Sequence, residues 1–331
     1  MMSAKQSNYF MRENKRRIAF IVGRFPVVSE TFIINQVADL IDRGIEIEIF
    51  SFRKGDKNNI SQRFYEYNMF NKVHYLDTPH NLIIRFFSTI PKIIHIVFTH
   101  ASLLFKILNF KKYGRKALSL ELLFKIEPFV GKEFDLFHCH FGRIANDFLM
   151  IKEILGLRQK IVTTFYGRDV SYIFEKEPAN YYDKLKKESS LFFVMSHNMK
   201  DRIVKNGFDH NKIRVLPVSI DVNSYPYKER NLHNGELIKI VSVGRFIEKK
   251  GFDDLLRALA IVKEKSKKLF KCYIIGDGVL KDKLFNMTES LKLWDVVEFK
   301  GYMKIEDIIK MFSDTHLFMQ PSKTASDGDM E

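Results

Sequence analysis

The most chemically loaded stretch of the chain is "GRFIEKKGFDDLL", which follows an apolar run at 237–244. It delivers Arg245, then Lys249 and Lys250, then Gly251 at the start of an amphipathic segment. A guanidinium offers a planar fork of donors matched to phosphate oxygens, and an ammonium adds a compact point charge. The first turn of a helix presents unpaired N–H groups to the same kind of anion. The spacing reads as a site for a phosphate-bearing ligand, against the plainer reading of a basic surface loop. Later apolar runs end in Gly276-Asp-Gly278 and in Gly301 before Tyr302-Met303. Gly-Asp-Gly alone is an ordinary turn signal and carries weight only from its place in the series.

A second set lies nearer the N-terminus. "DLFHCHF" contains His138, Cys139 and His140. On a strand the two histidines share one face and Cys139 takes the other, so the three cannot converge on a metal ion, and no metal site is expected. "TTFYGRDV" ends another apolar run with Tyr166, Arg168 and Asp169, and "FPVVSETFI" carries Ser29, Glu30 and Thr31, with Ser29 reading as a helix N-cap. His197 and Asp221 also follow apolar runs, where turn-forming roles suffice.

The elements that must position these residues alternate. The run at 18–23 suits a buried parallel strand. Phe32, Ile33, Gln36, Val37, Leu40 and Ile41 then fall at helical spacing, and Gly44 closes the helix before "IEIEIFSF" begins a second strand. Strand, helix, strand in this length is a βαβ unit. The rhythm returns from Asp135, Lys160, Ser190 and Lys212, and a second series with four strands starts at 237. This predicts an α/β protein of two Rossmann-like, doubly wound domains facing each other. Residues 1–17 read as a disordered basic tail, 18–222 as the first domain, 223–236 as a linker and 237–331 as the second domain. Ligands in such sheets bind beyond the carboxyl ends of the strands, where all the residues named above fall.

The 331-residue chain has 54 Lys and Arg against 40 Asp and Glu, a net charge of +14, which points to an acidic partner. Residues 81–120 concentrate that charge. No acid lies between Asp77 and Glu121, while seven Lys or Arg sit among Ile, Leu and Phe. The pattern predicts a pair of helices with apolar faces and cationic rims that rest on an anionic membrane. Its longest uncharged part, 93–105, is too short to span a bilayer, so no spanning helix is expected. No helix-turn-helix or RNP-like motif supports nucleic-acid binding. Two distant cysteines, Cys139 and Cys272, fit a reducing cytoplasm.

Taken in order, GR-x4-KG, IIGDG, FxG and PS followed by GDxE resemble the C-terminal half of family 4 glycosyltransferases of the GT-B fold. "FPVVSETFIINQVADLIDRG", "HCHFG", "TTFYGRDV" and "MSHNMKDRIVKNGFDHNKIRVLPVSID" resemble the N-terminal half in the branch that builds colanic acid and other exopolysaccharides. The resemblance implies a retaining transferase that moves a sugar from a nucleotide-diphosphate donor to a growing surface polysaccharide or polyprenyl-linked glycan. It implies no cofactor and no metal. It places the enzyme in the cytoplasm, peripherally on the inner face of the cytoplasmic membrane. Arg245 and Lys250 match the family's diphosphate clamp, and Glu331 matches the first acid of its Glu-x7-Glu motif. Gly244, Gly276, Gly278, Tyr302 and Met303 match loops around the nucleotide. His140 matches a cleft histidine; Ser29, Glu30, Thr31, Tyr166 and Asp169 fall on the acceptor side. Tyr166 stands where many relatives carry histidine, which puts an imidazole role there in doubt. The second glutamate of the motif would follow Glu331 by eight residues. The resemblance therefore implies a C-terminally truncated fragment whose second domain is incomplete and which turns over no donor by itself. A competing reading is a non-catalytic remnant that binds membrane or acceptor glycan.

Overall fold

The apolar run around Ile21 becomes β1 (Arg17–Phe25), and its alternate side chains leave for opposite faces of a sheet. Phe20 and Val22 pack with α1 (Thr31–Asp42), while Ala19 and Ile21 enter a larger core on the other side. A strand with both faces buried must be apolar at every position rather than at every second one, which is what "IAFIV" supplies. The computed structural model describes residues 16–56, 60–218, 220, 222, 225–227, 229–233 and 235–330. The chain divides into two units, with the boundary between residues 218 and 219.

The first unit holds a parallel sheet of seven strands in the order β3-β2-β1-β4-β5-β6-β7. After β1 come β2 (Glu46–Lys54), β3 (Val73–Tyr75), β4 (Leu136–His140), β5 (Lys160–Thr164), β6 (Ser189–Val194) and β7 (Ile213–Val215). The order reverses between β1 and β4, the doubly wound pattern expected from sequence. The helices that cover it include α2 (Leu82–His100), α3 (Gly142–Leu155) and α4 (His197–Lys205). Strand β3 was not anticipated, because three half-buried residues are too short to show a period.

The second unit repeats the plan with β8 (Ile238–Val243), β9 (Phe270–Ile275), β10 (Val297–Gly301) and β11 (Leu317–Phe318), in the order β10-β9-β8-β11. Helices α5 (Phe252–Lys265) and α6 (Lys281–Ser290) bury Leu255, Leu256 and Leu284 against Cys272 and Ile274. Helix α7 (Ile305–Phe312) covers the opposite face through Ile308 and Met311 against Val241 and Ile275. The four strands expected from sequence are all present. β11 pairs with β8 alone and leaves Leu317 and Phe318 half exposed.

Three expectations differ from the structure. Ser29 does not cap a helix: it lies in a 3-10 turn (Val28–Glu30), and the cap position of α1 is Glu30, with no side-chain capping bond. Residues 81–120 are not a helix pair. They form the single 19-residue α2, capped by Asn81 Oδ1, followed by short helices at Ser102–Ile107, Phe110–Tyr113 and Arg115–Leu118. By length and composition α2 is long and apolar enough to cross a membrane, although the sequence shows no uncharged run of that length. The uncharged window missed it because Arg85 and Lys92 interrupt the run, and Pro91 reads as a breaker. The helix tolerates Pro91 at the loss of one backbone donor.

The two histidines of β4 do share one face of the sheet, with Cys139 in the core on the other. His138 packs against the Phe20 ring at 5.0 Å, stacks on His140 at 4.4 Å and hydrogen-bonds Thr164 Oγ1 through Nε2 at 2.7 Å. Burial lowers its pKa to about 4. The unfolded chain, with an ordinary histidine near 6.5, therefore takes up this proton first as pH falls. The contribution is fully present above about pH 6.5 and is lost progressively down to about pH 4, amounting to about 3 kcal/mol. Urea titrations followed by near-ultraviolet circular dichroism will show stability falling over that interval, and His138→Gln will flatten the slope. An unchanged slope in the variant would contradict the assignment.

Candidate functional site

In the second unit the chain leaves β8 at Gly244-Arg245, makes a 3-10 turn (Glu248–Lys250) and enters α5 through Gly251. Phe246 anchors this path. Its ring is buried edge-on against Phe252 at 5.1 Å and Phe299 at 5.9 Å. Its N–H donates to the Asp277 carbonyl at 2.9 Å, and its carbonyl accepts from the Leu280 N–H at 3.0 Å. The residue after Arg245 is thus tied to the loop that follows β9. That approach is close enough to exclude side chains. A Cβ on Gly276 would stand 1.9 Å from the Gly244 carbonyl oxygen, and one on Gly278 would stand 2.8 Å from the Phe246 nitrogen. Only glycine fits. The Gly276 N–H also donates to the Gly301 carbonyl at 2.8 Å, which adds the loop after β10.

These contacts line up the ends of β8, β9 and β10, so Gly244, Arg245, Lys250, Gly276, Gly278 and Tyr302 fall along one edge of the sheet. Arg245 is exposed and makes no side-chain hydrogen bond or ion pair among the described residues. Lys250 is half-buried; its Cδ lies 3.4 Å from where a Gly244 Cβ would be, so the absent side chain seats the lysine stem. Tyr302 is half exposed, whereas Met303 packs into the core beside Ile308.

The chain after β11 returns to the same turn. The Lys323 N–H donates to the Lys249 carbonyl at 2.9 Å, and Ser326 donates to the Glu248 carboxylate through its N–H at 3.0 Å and its hydroxyl at 2.8 Å. Lys249 Nζ pairs with Asp329 at 3.2 Å. Gly251 is needed here twice over: its φ is +67°, and a Cβ would stand 1.8 Å from the Pro321 carbonyl oxygen. Glu331 lies outside the described residues, which reach Met330. Lys249 was read only as part of the basic loop, and its pairing with Asp329, like the contacts of Glu248, Lys323 and Ser326, was not anticipated, because partners about eighty residues apart leave no local pattern.

The N-terminus of α5 does not offer the open anion site expected from sequence. Its first turn carries Asp253 and Asp254, and Lys323 Nζ bridges them at 2.8 and 2.7 Å. Burial would raise the Asp253 pKa, but the Lys323 ammonium overrides it and holds the carboxyl below its ordinary range. The positive end of the helix dipole is already matched by carboxylates. The basic side chains at this edge that the sequence reading named are the exposed Arg245 and the half-buried Lys250.

In the first unit the site residues gather at the carboxyl ends of β4 and β5, beside the switch in strand order. The half-buried Tyr166 ring packs 4.5 Å from Phe32, 4.8 Å from Phe141 and 5.9 Å from His140. His140 Nδ1 lies 2.7 Å from the Tyr166 hydroxyl, and its Nε2 is buried without a partner among the described residues. His140 is wholly buried, and burial beside His138 keeps it neutral by pushing its pKa well below the ordinary value. Its Nδ1 is taken up by the Tyr166 hydroxyl. Burial raises the tyrosine's own pKa, with the Asp169 and Glu30 carboxylates adding to the effect.

Asp169 is buried and fully occupied. One carboxylate oxygen accepts from the Gly142 N–H at 2.9 Å; the other accepts from the N–H groups of Tyr166 and Gly167 at 3.1 and 3.0 Å. It staples the Tyr166 turn to the N-terminus of α3 and holds the ring in place. Phe141, between His140 and α3, has φ +73°, a strained value for a bulky residue that no sequence signal marks. Ser29 is exposed on the turn before α1, Thr31 is exposed as the first residue of α1, and Glu30 is half-buried. Among the described residues no cluster of His, Cys, Asp or Glu could hold a metal ion.

Comparison with known proteins agrees across both units. Residues 29–224 match the family described as Glycosyltransferase Family 4, and residues 225–328 match Glycosyl transferases group 1. WcaL of Escherichia coli (strain K12), named as a colanic acid biosynthesis glycosyltransferase, is 30% identical over 322 residues, covering 95% of this chain and 77% of its own. The amylovoran biosynthesis glycosyltransferase AmsK of Erwinia amylovora is 31% identical over 324 residues, with the same coverage. Among solved structures, Anabaena HepE in complex with UDP-glucose superposes with a TM-score of 0.62 at 14% identity, covering 94% of this chain and 75% of that one. TarM superposes at 0.63 and 12% identity, covering 94% and 81%. The fold is GT-B, and the chain belongs to the family 4 glycosyltransferases.

Proposed function

We propose that this chain binds a nucleoside-diphosphate sugar and is part of an enzyme that transfers the sugar, with retention of configuration, to a growing exopolysaccharide glycan. The observation that carries the reading is the arrangement of Arg245 and Lys250. Two cations sit at one strand end, on a backbone held by glycine contacts to the neighbouring loop. As the bond between sugar and diphosphate breaks, negative charge grows on the leaving group. Fixed donors aimed at that charge stabilise the transition state more than the ground state. Arg245 would chelate phosphate oxygens with its fork, and Lys250 would neutralise charge beside it. The two cations would supply the charge that a divalent metal supplies elsewhere, so binding is expected to be metal-independent.

The named relatives in colanic acid and amylovoran synthesis support the choice of acceptor class, and the UDP complexes of HepE support the donor class. Glu331 is assigned, by its match to the family motif, to hydroxyls of the donor sugar. The pinning of Ser326 and Asp329 beside the Glu248–Lys250 turn supports that assignment. In the first unit, Tyr166, with His140 and Asp169 fixing it, is assigned to the acceptor side together with Ser29, Glu30 and Thr31.

Isothermal titration with UDP, GDP and ADP tests the donor assignment without requiring turnover. Arg245→Ala and Lys250→Ala will each weaken binding of the preferred diphosphate about ten- to a hundredfold, the loss of about 1.5–3 kcal/mol from one charge-assisted bond. EDTA will leave the wild-type affinity unchanged. Wild-type affinity in both variants would remove the site from this edge of the sheet.

Gly251→Ala gives a second check. Its Cβ cannot coexist with the Pro321 carbonyl at 1.8 Å, so the turn and the segment after β11 must separate. Thermal unfolding and diphosphate affinity should both fall, by about 1–3 kcal/mol in stability. A variant with normal stability and normal affinity would show that the segment does not support the site.

A further inference from the structure

Helix α2 has two unlike sides. Arg85, Thr89, Lys92 and Ile96 recur at helical spacing and form the stripe that faces the protein. Arg85 donates to the carbonyls of Pro79 at 2.8 Å and Ser119 at 3.2 Å. Lys92 pairs with Glu127 at 2.6 Å, His95 meets the same carboxylate at 2.8 Å, and Ile96 is fully buried. At 3.6 residues per turn the rest of the circumference, roughly 200°, carries no charged side chain. It presents Ile83, Phe86, Phe87, Ile90, Ile94 and Phe98, which are 44 to 85% exposed. Only 11% of the apolar window is buried. A contiguous apolar surface of this size on a folded protein marks an interaction face.

Charge identifies the partner. No acid occurs between Asp77 and Glu121, and Lys106, Lys111, Arg115 and Lys116 lie exposed on the short helices beyond α2, near the exposed Phe105, Phe110 and Leu118. A second copy of the chain would bring this cationic rim against itself with no acid to oppose it. An anionic bilayer surface complements both features, since apolar side chains enter the acyl boundary while lysines and arginines meet lipid phosphates. Spanning is disfavoured by the docked stripe, because α2 could cross a bilayer only by leaving Glu127 and the carbonyls or by dragging them into hydrocarbon.

We infer that α2 lies flat in the interface of an anionic membrane, about 28 Å long at 1.5 Å per residue, and that the basic helices after it hold lipid headgroups. This seats the first unit on the membrane independently of the donor site.

The test uses the whole chain and vesicles of phosphatidylcholine alone or mixed equally with phosphatidylglycerol. Co-sedimentation will be strong only with the anionic mixture and will weaken with salt. Phe87→Glu and Phe98→Glu will each lower it about tenfold, as will Lys111→Gln combined with Lys116→Gln, with thermal unfolding unchanged because these side chains are exposed. Tryptophans placed singly at Ile83, Ile90 and Phe98 will all be quenched at one shallow depth by brominated lipids. Binding indifferent to phosphatidylglycerol, or insensitive to the glutamate variants, would overturn the inference. So would a probe at the bilayer centre, which indicates spanning, or lipid-free dimerisation abolished by Phe98→Glu, which indicates a second copy. UDP affinity serves as the separate readout of the donor site.

Discussion

A parallel sheet covered on both faces leaves its strands one kind of place to meet a ligand, namely their carboxyl ends. That constraint organises this protein. In both units the strand interiors are spent on packing: Phe20 and Val22 on one side, Ala19 and Ile21 on the other, with Val241 and Ile240 divided in the same way. What remains for chemistry is the first few residues after each strand, concentrated where strand order reverses. Arg245 follows β8 at one reversal, and Glu30 and Tyr166 lie beside the other.

Strand ends are loops, and loops hold reactive groups to tolerance only when something fixes them. The two units solve this differently. The second uses backbone-to-backbone contact: Gly276 and Gly278 allow one loop to press on another, so the Arg245 peptide is clamped without any side chain at the contact. The first uses a buried carboxylate. Asp169 accepts three N–H groups, and that network places Tyr166 over His140. A charged acceptor inside the protein is tolerable because each of its oxygens is engaged by a donor.

Helix α2 obeys neither logic. Arg85 and Lys92 point inward to carbonyls and to Glu127, while most of its large apolar residues point outward, the reverse of an ordinary surface helix. The proposed membrane contact would account for the inversion. The inversion also explains why the sequence of this helix contains no long uncharged run. Arg85 and Lys92 look like interruptions of an apolar segment until they are seen to belong to the docked side.

Sequence alone determined the α/β class, the two series of strands, the four strands of the second series and the opposite faces of His138 and Cys139. These follow from local periodicity, which the chain carries within a few residues. It also made Arg245 and Lys250 candidates, because their residue types and their position after a strand are local facts. Only tertiary structure decided what those residues have for neighbours. The occupation of the α5 N-terminus by Asp253, Asp254 and Lys323, the Lys249–Asp329 pair and the seating of Lys250 over Gly244 all join segments remote in sequence or depend on how a turn closes. The burial of His140 behind Tyr166 is of the same kind. Hydrogen bonds and packing distances of this sort are set by where the sheet carries each strand end, and no local pattern records them.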